Sequence, residues 1–409
     1  MQNIVIEKPY KFVPPCQGDL WPKLLTLFLK GYLERSHGVR SVEVLGVEHL
    51  KKSLDAGHGI MITPNHSRPC DPMVLAHLWK AVGRSFYIMA SAHLFMQSRL
   101  QAFLLRRAGA FSVYREGMDR EALKCAVQII VDARKPLVLF PEGVVSRTND
   151  RLNHLMDGTV FIARNAAKQR AGMSSAGKVV IHPAAIRYFF EGDIGQALIP
   201  VLETIERRFS WKPQGHKPLV DRVYKVGDAL LTLKEIEYFE KPQTGELKQR
   251  LTALIDHLLV PLEQEWLKGK REKDVVARVK NLRTAILPEM VAGEIAEDER
   301  SRRWRQLADV YLAQQLFFYP PEYFKPEATP EKLMETVERF EEDLTDQVTI
   351  HRPIRTVIQI GEAIEVSPVR ERGVETDPVM TKIRADLEKM MAELGEKRRV
   401  PNVSGCVGS

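Results

Sequence analysis

Two residues that can share a proton lie five positions apart near the start of the chain, in the run Asn-His-Ser-Arg-Pro-Cys-Asp at 65–71. An imidazole such as that of His66 can accept a proton from a hydroxyl, and a carboxylate such as that of Asp71 can fix its tautomer. A plainer alternative is that Asp71 only caps a helix and His66 is a solvated loop residue.

The flanking residues place this pair between a strand and a helix. The apolar run Gly59–Thr63 predicts a short buried strand, and Asp71-Pro72 predicts the start of a helix over 72–82. A loop of this kind lies at the carboxyl end of a sheet, where ligands bind in α/β folds.

Three further motifs follow, and the four together cover residues 58–187. The second runs from Gly109 to Arg115, the third is Phe140-Pro141-Glu142-Gly143, and the fourth has Pro183 within an apolar strand. With the His-x4-Asp motif, this series resembles the glycerophospholipid acyltransferase family, which contains 1-acyl-glycerol-3-phosphate acyltransferase.

The resemblance implies the chemistry and its residues. His66 and Asp71 are expected to be catalytic, and Arg115, Glu142, Gly143 and Arg147 to bind the acceptor and its phosphate. Arg147 departs from the pattern, because the usual arginine position holds Val145 and Arg147 follows two residues later. An arginine fork suits phosphate oxygens, so its displacement leaves the acceptor open.

The implied reaction moves a fatty acyl group from acyl-CoA or acyl-carrier protein to a lysophosphatidate-like acceptor. Glycerol-3-phosphate or another lyso-phospholipid is the alternative acceptor, and a non-catalytic lipid-binding scaffold is the alternative of another class. We expect no cofactor and no metal; the four cysteines lack metal-ligand spacing. Cys70 lies within the first motif, but direct acyl transfer needs no covalent thiol intermediate.

Charge is unevenly distributed along the 409 residues. Residues 1–220 carry 30 Lys and Arg against 18 Asp and Glu, whereas residues 221–409 carry 30 against 35. The basic half contains the motifs, which suits an anionic substrate and an anionic membrane surface. No nucleic-acid-binding signature accompanies the charge, so nucleic acid is not expected as a partner.

No apolar run is long enough for a membrane-spanning helix, so we expect a peripheral protein on the cytoplasmic face. Two amphipathic segments, 20–33 and 94–107, are candidates for the membrane contact, and packing in the core is the alternative for each. The aromatic cluster 317–324 is expected to dock on the catalytic domain or to touch lipid.

Alternating strand and helix patterns predict an α/β sandwich whose mixed sheet is flanked by helices. Strands are predicted at 59–63, 85–90, 110–114, 136–141, 178–186 and 221–227. The predicted domains are an amphipathic segment (1–40), an acyltransferase domain (41–268) and a helix-rich extension (269–409). A closing strand, turn and helix is expected to begin at either 224–230 or 358–364, and a disordered end at 398–409.

Overall fold

A computed structural model describes residues 7–173, 177–293, 295–319, 328–370, 373 and 376–398. The described strands are β1 (Val39–Leu45), β2 (Gly59–Pro64), β3 (Tyr87–Ser91), β4 (Ala110–Val113), β5 (Leu137–Val138), β6 (Val179–Phe190), β7 (Ile354–Ile360) and β8 (Ile364–Glu365). The helices before β6 are α1 (Leu20–His37), α2 (Val47–Asp55), α3 (Asp71–Val74), α4 (Ala76–Val82), α5 (Ala92–Met96), α6 (Arg99–Arg107), α7 (Arg120–Asp132) and α8 (Gly158–Ala171). Those after it are α9 (Ile194–Arg208), α10 (Leu219–Phe239), α11 (Leu247–Leu267), α12 (Val275–Ala292), α13 (Glu297–Phe317), α14 (Pro330–Thr345) and α15 (Pro378–Glu396).

The strands form one mixed sheet in the order β1-β7-β6-β2-β5-β3-β4, and β8 also pairs with β6. All pairs are parallel except those of β6 with β7 and with β8. The predicted α/β class with a mixed, helix-flanked sheet is therefore confirmed. Because β2, β5, β3 and β4 are parallel neighbours, the loops that follow them meet at one edge.

The central strands are buried along their whole length. Every residue of β2 and of the twelve-residue β6 is buried, which explains their nearly unbroken apolar sequences. A cluster that includes Met61, Ile130, Ile181 and Leu387 joins the sheet to α7, α8 and α15. This core fixes the edge from which the motif loops emerge.

The chain divides into two compact units. One comprises Tyr10–Glu191 and the described part of 351–399, and the other comprises Gly192–Ile350 with residues 7–9. Residues 351–399 belong to the first unit because the chain returns to the sheet at β7, and the predicted domain boundaries at 40 and 268 stay a prediction. Among the described helices, none is long and apolar enough to cross a membrane.

The second of the two candidate closing segments completes the sheet. β7 is inserted between β1 and β6, and α15 follows it. The strand predicted at 221–227 is wrong, since these residues lie in α10. Val223 and Val226 are buried at helical spacing, a pattern that a short apolar run does not distinguish from a strand.

Two sequence predictions fall partly outside the described residues. The end at 398–409 is described only at Arg398. In the aromatic cluster, residues 320–324 lie outside the description, whereas Phe318 is buried.

The helical unit contains a repeat of charged residues that was not predicted from the sequence. An arginine recurs at Arg222, Arg250 and Arg278, an interval of 28 residues, and acidic residues follow the first two arginines at matching positions. Arg250 binds Glu235 and Asp228 of the preceding helix, and Arg278 binds Glu263 and Asp256 in the same way. The three-residue pattern thus joins α10 to α11 and α11 to α12.

Candidate active site

The predicted catalytic pair is assembled in the loop between β2 and α3. His66 Nδ1 lies 2.9 Å from Asp71 Oδ2, and the Asp71 side chain is fully buried while that of His66 is 14% exposed. Asp71 is the first residue of α3, and Cys70 occupies the N-cap position but its side chain makes no capping hydrogen bond. The carboxylate instead accepts from His66 and from the Arg68 backbone N–H, 3.0 Å away. Helix capping therefore does not account for Asp71.

The second oxygen of Asp71 has its own donor. The Tyr188 hydroxyl on β6 donates to Asp71 Oδ1, and the side chain of Tyr188 is completely buried. Burial, together with the neighbouring charge of Asp71, holds the pKa of Tyr188 well above its ordinary value. The phenol consequently keeps its proton and remains a donor to the carboxylate.

Phe140 supports the imidazole from one face. Its ring is stacked on that of His66, with centroids 4.0 Å apart and planes inclined by 26°. Phe140 directly precedes the Pro-Glu-Gly of the third motif, so the same segment contacts both the ring and the backbone of the histidine. Ring stacking and the Asp71 bond together restrict the orientation of His66.

Glu142 holds the backbone of the catalytic loop. Its Oε1 accepts from the His66 N–H at 2.8 Å, and its Oε2 accepts from the N–H and side-chain amide of Asn153 at 3.0 and 2.9 Å. Burial raises the pKa of this carboxyl, and the donated hydrogen bonds oppose that effect. These contacts give Glu142 a positioning role, and direct contact with the acceptor remains a prediction.

Gly143 and Arg115 connect the second and third motifs. Arg115, which follows β4, donates a hydrogen bond to the Gly143 carbonyl oxygen. Gly143 has φ of +69°, a backbone conformation that favours glycine, and a Cβ there would also displace the flexible side chain of Met156. Arg115 thus reaches a residue adjacent to Glu142, which in turn binds His66.

Arg147 is connected to the catalytic loop by its neighbour Ser146. The Ser146 N–H donates to the His66 carbonyl oxygen at 2.7 Å, so the backbone beside Arg147 is tied to the catalytic loop. Arg147 itself adopts φ of +54°, an unusual value for a residue with a side chain. The hydrogen bond at Ser146 keeps the backbone of Arg147 beside the catalytic loop, and its role in phosphate binding remains a prediction.

Two buried asparagines form hydrogen bonds with the backbone of β6. Asn65 exchanges hydrogen bonds with the backbone of Ile186 at 3.0 and 2.7 Å, and Asn149 does the same with Tyr188 at 2.7 Å each. The pairing of β2 with β6 ends at Ala184. The two side-chain amides therefore bind backbone groups of β6 that lie beyond the end of β2. They anchor the loops that carry His66 and Arg147.

The sequence alone did not predict a role for these asparagines, for Phe140 or for Tyr188. Asn65 and Phe140 lie within or beside motifs, so their positions were a weak signal. Asn149 and Tyr188 gave no signal in the sequence, because their hydrogen-bond partners are distant along the chain.

Cys70 has the environment of a structural thiol. It is buried beneath the loop, its sulfur lies 3.6 Å from the Tyr188 hydroxyl, and burial raises its pKa to about 12. A nucleophilic cysteine needs a lowered pKa, so this environment argues against covalent catalysis at Cys70. Across the described residues, no group of three or more His, Cys, Asp or Glu is placed to hold a metal ion.

The geometry brings the first three motifs together at the edge where β2, β4 and β5 end, and Pro183 of the fourth motif pairs with Thr63 near the end of β2. Residues 41–187 match the Acyltransferase family model. This is the family of glycerophospholipid acyltransferases, as the motifs indicated. The matched segment spans β1 to β6 and contains every predicted site residue. A search of curated proteins finds no match to the chain. The domain match supports O-acyl transfer in general, with a lipid as acceptor.

Proposed function

We propose that this protein transfers a fatty acyl group from acyl-CoA or acyl-carrier protein to the free hydroxyl of a lysophosphatidate-like acceptor. The observation that carries the proposal is the 2.9 Å contact of His66 Nδ1 with the buried carboxylate of Asp71. An imidazole whose Nδ1–H donates to a carboxylate has its lone pair on Nε2, which makes that nitrogen a general base.

In the proposed reaction, His66 Nε2 takes the proton of the acceptor hydroxyl while the hydroxyl oxygen attacks the thioester carbonyl carbon. The resulting tetrahedral intermediate expels the thiolate of the donor, and the proton on His66 passes to the leaving sulfur. Asp71 stabilises the transient imidazolium, and Phe140, Glu142 and Tyr188 keep the two residues aligned. An ester forms, a thioester breaks, and no cofactor is consumed.

Arginine side chains support a phosphorylated acceptor. Arg115 is tied to Gly143, beside the glutamate that binds the His66 backbone, and Arg147 follows the serine that binds its carbonyl. A guanidinium can bind two phosphate oxygens at once, which would orient the acceptor hydroxyl towards the base. Glycerol-3-phosphate shares this phosphate and is the alternative acceptor, along with other lyso-phospholipids. We place the enzyme at the cytoplasmic face of a membrane.

The proposal is tested by incubating the purified full chain with a matrix of donors and acceptors and identifying the products by mass spectrometry. Donors are acyl-CoA and acyl-carrier protein of several chain lengths, and acceptors are lysophosphatidate, glycerol-3-phosphate and uncharged monoacylglycerol. We expect esterified product chiefly from lysophosphatidate, and a loss of two to four orders of magnitude in turnover for His66→Ala.

His216→Ala is the matched control, since His216 is exposed in the helical unit and its loss is expected to leave turnover unchanged. Thermal melts of both variants separate lost chemistry from lost folding. Absence of product from every pair would favour the lipid-binding scaffold, and a His66→Ala variant of normal turnover would refute the base assignment.

A further inference from the structure

Helices α1 and α6 expose large apolar side chains although they belong to the same compact unit as the candidate site. On α1 the exposed fractions are 78% for Leu20, 43% for Leu24, 74% for Leu27 and 71% for Phe28. On α6 they are 68% for Leu100, 42% for Phe103 and 38% for Leu104. Each set follows helical spacing, so each helix presents one apolar stripe. Clusters of this kind mark interaction surfaces more often than single exposed residues do.

A direct contact joins the two stripes. The rings of Trp21 on α1 and Phe103 on α6 meet edge to face, with centroids 5.5 Å apart. The guanidinium of Arg107 lies over both rings, 5.3 Å from that of Trp21 and 5.1 Å from that of Phe103. Leu24 is one helical turn from Trp21, and Leu100 is one turn from Phe103, so the stripes flank this contact. We call the combined surface the α1–α6 face.

The charged side chains on α1 and α6 are mainly positive. Lys23 and Lys30 on α1 are exposed, as is Arg99 on α6. α6 carries three arginines and no acidic residue, and α1 has Glu34 as its one acidic residue. Apolar side chains among cations match a bilayer with anionic headgroups, because the side chains enter the acyl boundary while the cations meet phosphate.

Both helices lead to the candidate active site. α1 ends at His37, whose pKa is lowered chiefly by burial and further by the nearby charge of Arg68, while Asp71 opposes that effect. α6 leads directly into β4, which ends before Arg115. A surface in contact with the α1–α6 face would therefore lie against the unit that carries His66.

We propose that the α1–α6 face is a single docking surface for anionic lipid bilayers, formed by two segments that are far apart in the sequence. Binding of the face to a bilayer does not depend on the proposed function. Only its purpose does, which is to present a membrane-embedded acceptor to the site. Trp21, Phe103 and Arg107 hold the two helices together, and the exposed leucines and Phe28 enter the lipid.

The test is co-sedimentation of the full chain with vesicles of phosphatidylcholine alone or mixed with phosphatidylglycerol. We expect the wild type to bind the anionic vesicles, to bind them less in 0.5 M salt than in 0.1 M salt, and to bind neutral vesicles weakly, since screening shortens the reach of the charges. The double variant Leu27→Asp/Phe28→Asp and the single variant Leu100→Asp are each expected to lower the bound fraction at least tenfold. Leu233→Asp is the matched control, because Leu233 is 53% exposed on α10, and it is expected to bind normally.

The experiment measures vesicle binding and needs no activity assay, so its result does not depend on whether the proposed reaction is correct. Thermal melts must show folded variants, and the chosen residues are highly exposed so that their replacement leaves the core intact. Loss of binding in the α1 variant with normal binding in Leu100→Asp would overturn the combined surface. Normal binding in both variants would overturn the face altogether. Sedimentation velocity without vesicles tests the other occupant: a wild-type dimer that the variants convert to monomer, with no vesicle binding, would show a second copy of the chain there.

Discussion

The hydroxyl of Tyr188 donates to one oxygen of Asp71 while the other oxygen accepts from His66 and from the Arg68 N–H. The carboxylate therefore accepts hydrogen bonds both from a phenol on β6 and from an imidazole in the catalytic loop. The residue that orients the proposed base is itself oriented by a strand far along the chain.

Replacement of Tyr188 by phenylalanine is expected to lower kcat by about tenfold. Without the phenol, Asp71 loses one donated hydrogen bond and holds the imidazole of His66 less firmly in line for proton transfer. The measurement is kcat, together with a thermal melt of the variant. Tyr238→Phe removes a hydroxyl that binds Asp309 in the helical unit, and it serves as the control. An unchanged kcat in a folded Tyr188→Phe variant would contradict this role of Tyr188.

Arg115 variants distinguish acceptor binding from loop support. We expect Arg115→Ala to raise the KM for a phosphorylated acceptor by about tenfold or more, the scale of a lost charge-assisted hydrogen bond. Arg115→Lys keeps a donor for the Gly143 carbonyl but loses the two-pronged geometry, so it is expected to recover only part of the loss. The KM for uncharged monoacylglycerol is the comparison. An equal rise for both acceptors would assign Arg115 to support of the loop alone.

Stability is expected to fall in mild acid because of His182. Its Nδ1 donates to the Gly361 carbonyl at 2.9 Å and its Nε2 accepts from Ser53 at 2.9 Å. Burial lowers the pKa of His182, with the Gly361 carbonyl opposing and the charges of His49 and His58 reinforcing the effect. A lowered pKa in the folded state means that its contribution is fully present above about pH 6.5 and is lost as the pH falls below that value.

The free energy of unfolding, measured in urea between pH 7.5 and pH 5, shows this loss as a slope of up to about 1.4 kcal/mol per pH unit for each proton bound. His182→Asn is expected to be less stable at pH 7.5 but to lose less on acidification. Part of the slope persists, because burial also lowers the pKa values of His37 and His77. His216→Ala is the control, and a slope in His182→Asn equal to that of the wild type would refute the assignment.

Removing one partner of a repeated ion pair in the helical unit is expected to lower the free energy of unfolding strongly. Arg278 and Glu263 are almost fully buried and form two hydrogen bonds at 2.6 and 3.0 Å. Glu263→Leu leaves a buried guanidinium with one carboxylate fewer and is expected to destabilise the protein by about 3–5 kcal/mol. The double variant Arg278→Met/Glu263→Leu removes both charges and is expected to lose less than the single variant. Urea unfolding measures both, and the exposed pair Lys382–Asp386 on α15 provides the control, expected to contribute below about 1 kcal/mol. A double variant that loses more than Glu263→Leu would contradict this expectation.

Local patterns were sufficient for β2 to β6 and for the motifs before residue 190, whereas β1 was not predicted. Apolar runs such as that of β2, followed by Pro and capping residues, specify strand–loop–helix units from near neighbours alone, and the motif spacings marked His66, Asp71 and Glu142. The prediction at 221–227 was wrong, because an apolar run of seven residues is compatible with both a strand and a helix and only packing selects one.

Tertiary structure decided what completes the site. Tyr188 and Asp71, and likewise Asn65 and Ile186, are more than a hundred residues apart, and their pairing depends on β6 lying beside β2. The insertion of β7 between β1 and β6, and the meeting of α1 with α6, are equally absent from local sequence patterns. A periodicity reports which face of an element is buried, whereas the identity of its neighbour is set by the packing of the whole sheet.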